Sequence, residues 1–329
     1  MIILSGLPEL ESMKKKLKYS LLLSISTIFS LVTYVPHTMP GGKTILVSVF
    51  PIYQIVKNIT EGSAYAEVNL MLPSGLGCPH EYVITPGDAN KIRQAHIIVI
   101  NGLGLDDFIL DTVKKIHRNT TVIDSSENIE DLITADDYSS HSHDGHDSYA
   151  YGADYNPHLF ASPVMTGKIA LNIASALAAE MPSDASLFMA NGKKYKEKMD
   201  ALAKKMSDAG RRLGNKRIVV QHDIFNYMAR DMGFTIIGFI QNHPGHDPSP
   251  SQLVSLIKKI REENAGVIFT EPQYPTKLGQ MVANETHIPV ITIDPAASGP
   301  ENAGLDFFET TLNQNIKIIM ETLGENSEP

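Results

Sequence analysis

The chain has 329 residues, 43% of them apolar and 20% charged, which suits one large or two medium globular domains and excludes a disordered chain. With 37 acidic side chains against 28 basic ones the formal net charge is −9, which excludes non-specific DNA or RNA binding, where a basic face must displace counterions. A single cysteine, Cys78, excludes an internal disulfide framework and any zinc module built from clustered cysteines.

The chain opens with an upstream stretch and then Met13-Lys14-Lys15-Lys16-Leu17-Lys18, followed by an apolar, uncharged run over residues 19–35. A basic region ahead of a hydrophobic one reads as a secretory signal, with Met13 as the initiator. A membrane anchor is the competing reading, since the run is nearly long enough to span a bilayer. Its serines and threonines, and Pro36 at its end, favour cleavage. Residues 1–38 are therefore expected to be an upstream segment and signal peptide, with no cysteine nearby for lipid attachment. They carry four lysines against two glutamates, so their removal takes the net charge from −9 to −11.

From Lys43 short apolar runs alternate with amphipathic stretches. The first half is expected to run strand 44–50, helix 52–60, strand 66–72, helix 86–94, strand 96–101, helix 105–116 and strand 121–124. The second half repeats the pattern: strand 217–220, helix 224–232, strand 234–240, helix 251–263, strand 266–270, helix 276–285, strand 289–294 and a closing helix 305–323. Such alternation means βαβ units and a parallel sheet in each half.

Two helical stretches without strands lie between the halves. Residues 164–180 place Met165, Ile169, Ile173 and Leu177 at intervals of four. Residues 184–213 place Tyr195, Met199, Leu202, Met206, Ala209 and Leu213 at steps of four and three, a helix face that spans on the order of 40 Å. The expected architecture is α/β: two lobes, each a parallel sheet flanked by helices, joined by a long rigid linker helix. The lobes are assigned to 39–160 and 214–329, with the linker helices at 161–213. A polar stretch over 136–156, DDYSSHSHDGHDSYAYGADYN, breaks the pattern and carries His141, His143 and His146 among five aspartates. It reads equally as a solvated loop and as a weak metal collector.

In open parallel sheets ligands bind beyond the carboxyl ends of the strands. At those ends the sequence delivers His80 in a Gly- and Pro-rich loop, His222 directly after RIVV, Glu271 after GVIFT and Asp294 after PVITI. His158, in YNPHLFASP, follows the polar loop. Imidazole and carboxylate suit a borderline divalent cation, commonly four in tetrahedral array. Successive spacings of 78, 64 and 72 residues between His80, His158, His222 and Asp294 fit a site assembled between two lobes. No HExxH, GxSxG, P-loop or post-strand GxGxxG occurs.

PHEYVITPGD, NPHLFASP, VVQHDIFNYMARDMGF and ITIDPAASGP together resemble the metal-specific substrate-binding proteins of bacterial ABC importers, the zinc and manganese receptors of the cluster A-I type. The resemblance covers nearly all of residues 43–323. It implies a monomeric periplasmic receptor, not an enzyme, that passes its ion to a membrane permease. It implies that His80, His158, His222 and Asp294 bind the metal, with Glu271 a carboxylate beside the site or an alternative ligand. Three imidazoles with one carboxylate favour Zn2+, with Mn2+ or Fe2+ as the alternative, and an exported zinc hydrolase using Glu271 as base is the rival from another class. An adhesion role has no positive signal in the sequence. Cys78 stands where the family pattern has an acidic residue; it is read as a small buried loop residue, a thiolate ligand being the alternative. His243 and His246, in QNHPGHDPSP, are read as solvated loop residues or a second weak site.

Overall fold

The run Ile97–Ile100 (IIVI) is buried at all four positions, the pattern of a strand covered on both faces of a parallel sheet. It belongs to a computed structural model that describes residues 41–79, 82–116, 120–134, 155–241 and 247–324. The expected signal segment 1–38, His80, the histidines at 141, 143 and 146, and the pair His243 and His246 lie outside the described residues.

The first half comprises β1 (Lys43–Val47), α1 (Phe50–Thr60), β2 (Ala66–Leu70), α2 (Pro86–Gln94), β3 (Ile97–Ile100), α3 (Asp107–Ile116) and β4 (Thr121–Asp124). Its strands are all parallel, in the order β2-β1-β3-β4. Two helices follow, α4 (Pro163–Glu180) and α5 (Ala185–Arg211). The second half comprises β5 (Arg217–Val220), α6 (Asn226–Met232), β6 (Thr235–Phe239), α7 (Pro250–Glu263), β7 (Val267–Thr270), α8 (Lys277–Thr286), β8 (Val290–Thr292) and α9 (Phe307–Leu323). Its parallel order, β6-β5-β7-β8, repeats the winding of the first sheet. The expected α/β class with two parallel sheets and a long helix between them is what the chain adopts.

Helix starts follow local chemistry. Thr85 and Asp88 form a reciprocal capping box around Pro86, and Ser249 and Gln252 do the same around Pro250. The Ser162 hydroxyl accepts from the Met165 N–H at the start of α4. Element ends differ from the sequence reading by a few residues. The first strand stops at Val47 because the proline at position 51 lets α1 begin at Phe50. Helix α3 starts at Asp107, not 105, after a turn in which Gly102 and Gly104 have positive φ. Helix α6 is preceded by a 3₁₀ turn, Asp223–Phe225.

The linker is a packed spine. Helix α5 is 27 residues long, and the whole expected face from Tyr195 to Leu213 is buried, as are Met165, Ile169, Ile173 and Leu177 on α4. One continuous apolar cluster runs from the first sheet through α4 and α5 to β5, β7 and α9; a smaller one covers the other face of the second sheet. Gly210 shows how close the fit is: a Cβ there would stand 2.0 Å from the Met232 carbonyl oxygen. Hydrogen bonds also tie the halves directly. Lys57 Nζ donates to the Ala303 carbonyl (2.9 Å), Asn58 Nδ2 to that of Leu305 (2.9 Å), and Gly299 N to that of Ser74 (3.0 Å). Tyr227 Oη donates to the Asn156 carbonyl (2.9 Å), and Phe50 meets Phe307 edge-on at 5.2 Å.

Rotating one half against the other would break several of these bonds, each worth a net ~1 kcal/mol, besides bending α5. An ion held by a few side chains has little contact area with which to offset that cost. Small-angle scattering profiles recorded with and without bound metal are therefore expected to superimpose. A clear fall in radius of gyration on adding metal would refute the stiff spine. Among the described residues no helix is long and apolar enough to cross a membrane.

Candidate metal centre

Five chain segments lie at the carboxyl ends of the strands. The loop after β2 turns at Gly77, whose φ is +74°, and presents Cys78. The turn Asn156-Pro157-His158 precedes α4; β5 delivers His222, β7 delivers Glu271, and Asp294 follows β8.

Cys78 Sγ lies 3.3 Å from His158 Nε2 and 3.7 Å from His222 Nε2. The two rings are nearly perpendicular, with centroids 5.6 Å apart. Both histidines are fully buried, while Cys78 is half-buried. Among the described residues these three form the group of His, Cys, Asp or Glu donors able to hold a metal ion, with ligand atoms within 4.8 Å of one another.

Each imidazole is oriented by an acceptor behind it. His158 Nδ1 is 3.1 Å from Asn156 Oδ1, which also accepts from the His158 backbone N–H (2.8 Å); Asp223 Oδ1 lies 3.7 Å from the same ring nitrogen. An amide oxygen only accepts, so Nδ1 carries the proton and Nε2 offers its lone pair. His222 Nδ1 meets the buried Glu271 carboxylate, with the same consequence for its Nε2. Glu271 is held in turn by Gln273 Nε2 at 2.5 Å. Phe160 and Tyr274 pack edge-on against the His158 and His222 rings at 5.9 and 5.8 Å.

The charges follow from this layout. Burial would lower the pKa of His222, but the Glu271 carboxylate, with help from Asp223, outweighs it and holds the ring above its usual 6.5. Burial, then the Glu271 and Asp223 charges, push the Cys78 thiol well above its ordinary range. Asp294 is raised by burial and by Glu271, partly offset by a hydrogen bond from the Ala296 N–H. The Glu271 charge acts in the same sense in all three shifts, so the pocket is negatively biased and attracts a cation.

Of the sequence-expected residues, His158 and His222 come together and Glu271 stands directly behind His222. Asp294 stands outside the group of three: its Oδ1 takes the Ala296 N–H (2.8 Å) and its backbone is held by Asn315. Cys78, read as a small buried loop residue with a thiolate ligand as the alternative, follows the Gly77 turn, packs against the core and places its sulfur near both imidazoles. Asn156 and Asp223 were not singled out by the sequence reading. The signal for Asn156 was present, since an Asn two residues before a buried turn residue commonly accepts from that residue's backbone.

The chain matches the family described as zinc-uptake complex component A, periplasmic, over residues 45–322. It belongs to that family. The family is a transport component and not an enzyme. The zinc-binding protein AdcA of Streptococcus pyogenes is 25% identical over 94% of this chain, and this chain spans 62% of the length of that relative. The high-affinity zinc uptake system protein ZnuA of Bacillus subtilis is 23% identical, over 93% of this chain and 98% of its own length. In three dimensions the substrate-binding protein FpvC of Pseudomonas aeruginosa, solved with Mn2+, superimposes with a TM-score of 0.72 at 23% identity, covering 86% of this chain and 98% of its own. That likeness establishes the two-lobe fold.

Proposed function

We propose that this chain is the periplasmic receptor of an ABC importer, capturing a divalent metal ion between its two lobes and passing it to a membrane permease as a monomer. The observation that carries the reading is the pair of buried imidazoles whose Nε2 atoms converge while an acceptor holds each Nδ1. Zinc is the proposed cargo ahead of manganese or ferrous iron, because three imidazoles with one carboxylate are softer than the oxygen-rich donor sets that suit manganese. The proposed ligands are His80, His158, His222 and Asp294, with Glu271 orienting His222. The same reading divides the chain into a signal segment 1–38, a first lobe 39–160, linker helices 161–213 and a second lobe 214–329, and the two four-stranded sheets support that division. Export by the signal peptide, without a cysteine anchor, belongs to this proposal too.

Calorimetric titration of the metal-stripped protein tests it: one tight zinc per chain is expected, plus weaker binding from the histidines at 141, 143 and 146. The ends of the His-rich stretch are pinned by an antiparallel bridge between Thr134 and Tyr155 and by the Asn156 N–H on the Ile133 carbonyl (2.9 Å). Deleting residues 137–152 is therefore expected to remove only the weak sites. Loss of the tight site in that variant, or failure of the full chain to bind zinc, would overturn the proposal.

The pH dependence has a definite sign. Metal can bind His222 only when Nε2 is unprotonated, and the Glu271 carboxylate raises the pKa of that ring in the free protein. Zinc affinity is expected to be highest above the raised value and to fall as pH drops through it, the loss beginning above 6.5. A competition assay across pH 8 to about 5 reads this directly. Affinity that stayed constant over that range would point to a carboxylate-dominated site.

A further inference from the structure

A zinc ion takes sulfur at about 2.3 Å and imidazole nitrogen at about 2.0–2.1 Å, so a tetrahedral angle between them sets the two donors roughly 3.5 Å apart. The observed Sγ–Nε2 separations of 3.3 and 3.7 Å bracket that value for both histidines. The same distances lie within thiol hydrogen-bond reach, and it is the convergence of both imidazoles on one sulfur that fits an ion. A thiol hydrogen bond uses one proton between two atoms, whereas a cation draws on the sulfur and both imidazoles at once. Nor is Cys78 merely filling space: a small residue closing a loop has no reason to point a sulfur at two fully buried imidazoles whose other nitrogens are already committed.

We propose that Cys78 is a metal ligand of this chain, its thiolate binding the captured ion together with His158 and His222. This rests on the receptor reading above and deepens it. A thiolate beside two imidazoles makes a soft to borderline donor set, which selects zinc and other thiophilic ions and discriminates against manganese and ferrous iron. Cys78 thereby acts as a specificity determinant and not only as a source of affinity. The ligating sulfur gives up its proton to solvent when the ion binds, since the thiolate and not the thiol is the ligand.

Cobalt(II) is the probe that tests it, because a thiolate–cobalt bond adds an intense near-ultraviolet charge-transfer band that imidazole and carboxylate ligands do not produce. The full-length mature chain, kept reduced, is titrated with cobalt alongside Cys78→Ser and Cys78→Ala, with thermal melts of the metal-free proteins to check that each folds. The expected result is a charge-transfer band saturating at one equivalent in the parent and absent from both variants, which still bind cobalt through the histidines. Outer partners of metal ligands are each worth roughly 10–100-fold in affinity, so losing a direct donor is expected to weaken zinc by at least tenfold while manganese binding changes little. Tight cobalt binding with identical spectra in all three proteins would overturn the role of Cys78 and leave the receptor standing. Absence of cobalt and zinc binding in the parent chain would overturn both.

Discussion

Replacing His222 by alanine is expected to weaken zinc binding by roughly a hundredfold or more, a larger loss than the 10–100-fold typical of removing a residue that orients a ligand. The side chain is fully buried, its Nε2 faces Cys78 Sγ at 3.7 Å, and its Nδ1 is engaged by the buried Glu271. Alanine removes a donor and at once takes the imidazole partner from the buried Glu271 carboxylate. Glu271→Gln separates the two effects: it keeps the shape and an acceptor for Nδ1 but removes the negative charge that makes His222 a better donor. Its expected loss is intermediate. His243→Ala, in the loop read as solvated, is expected to change affinity little. Competition titrations with a chromophoric chelator measure all three, and equal losses for His222→Ala and His243→Ala would show that the imidazole ligand has been misassigned.

Phe269→Ala is expected to cost the metal-free protein about 3–5 kcal/mol of unfolding free energy, the usual range for deleting a fully buried aromatic ring. Phe269 has no exposed surface and lies edge-on to Phe225 at 5.9 Å and to Phe234 at 5.6 Å. The change leaves a cavity in the second sheet between β7 and the turn after His222, where the close fit of the surrounding elements limits collapse. Against a total of about 5–15 kcal/mol for a typical domain, that loss is a large fraction of the stability. Urea unfolding is expected to give a lower midpoint with an unchanged slope. Phe269 also stands two residues before Glu271, and Phe225 three after His222, so a looser core is expected to lower zinc affinity modestly as well. A stability loss below about 1 kcal/mol would mean that the site's supporting core is far more plastic than its packing suggests.

The sequence by itself determined the alternation of strands and helices, the repetition of one winding in two halves and the long helix between them. These are local matters of periodicity, proline starts and capping: Ile97–Ile100 reads as a buried strand, and the face from Tyr195 to Leu213 reads as a helix stripe, whatever lies opposite. It also located His158, His222, Glu271 and Asp294 at strand ends and turns, because a βαβ chain delivers its loops to one edge. Distance across that edge was beyond it. Cys78 and His158 are 80 residues apart and Cys78 and His222 144, and nothing in their local pattern says that one sulfur faces both rings. Tertiary packing alone decided that the Glu271 carboxylate meets His222 Nδ1, because the two residues are brought together only by the pairing of β5 with β7. It decided equally that Asp294 spends one carboxylate oxygen on the Ala296 N–H. Ligand type is written in the residues; which atoms share one ion is set by the geometry of two sheets held on a common spine.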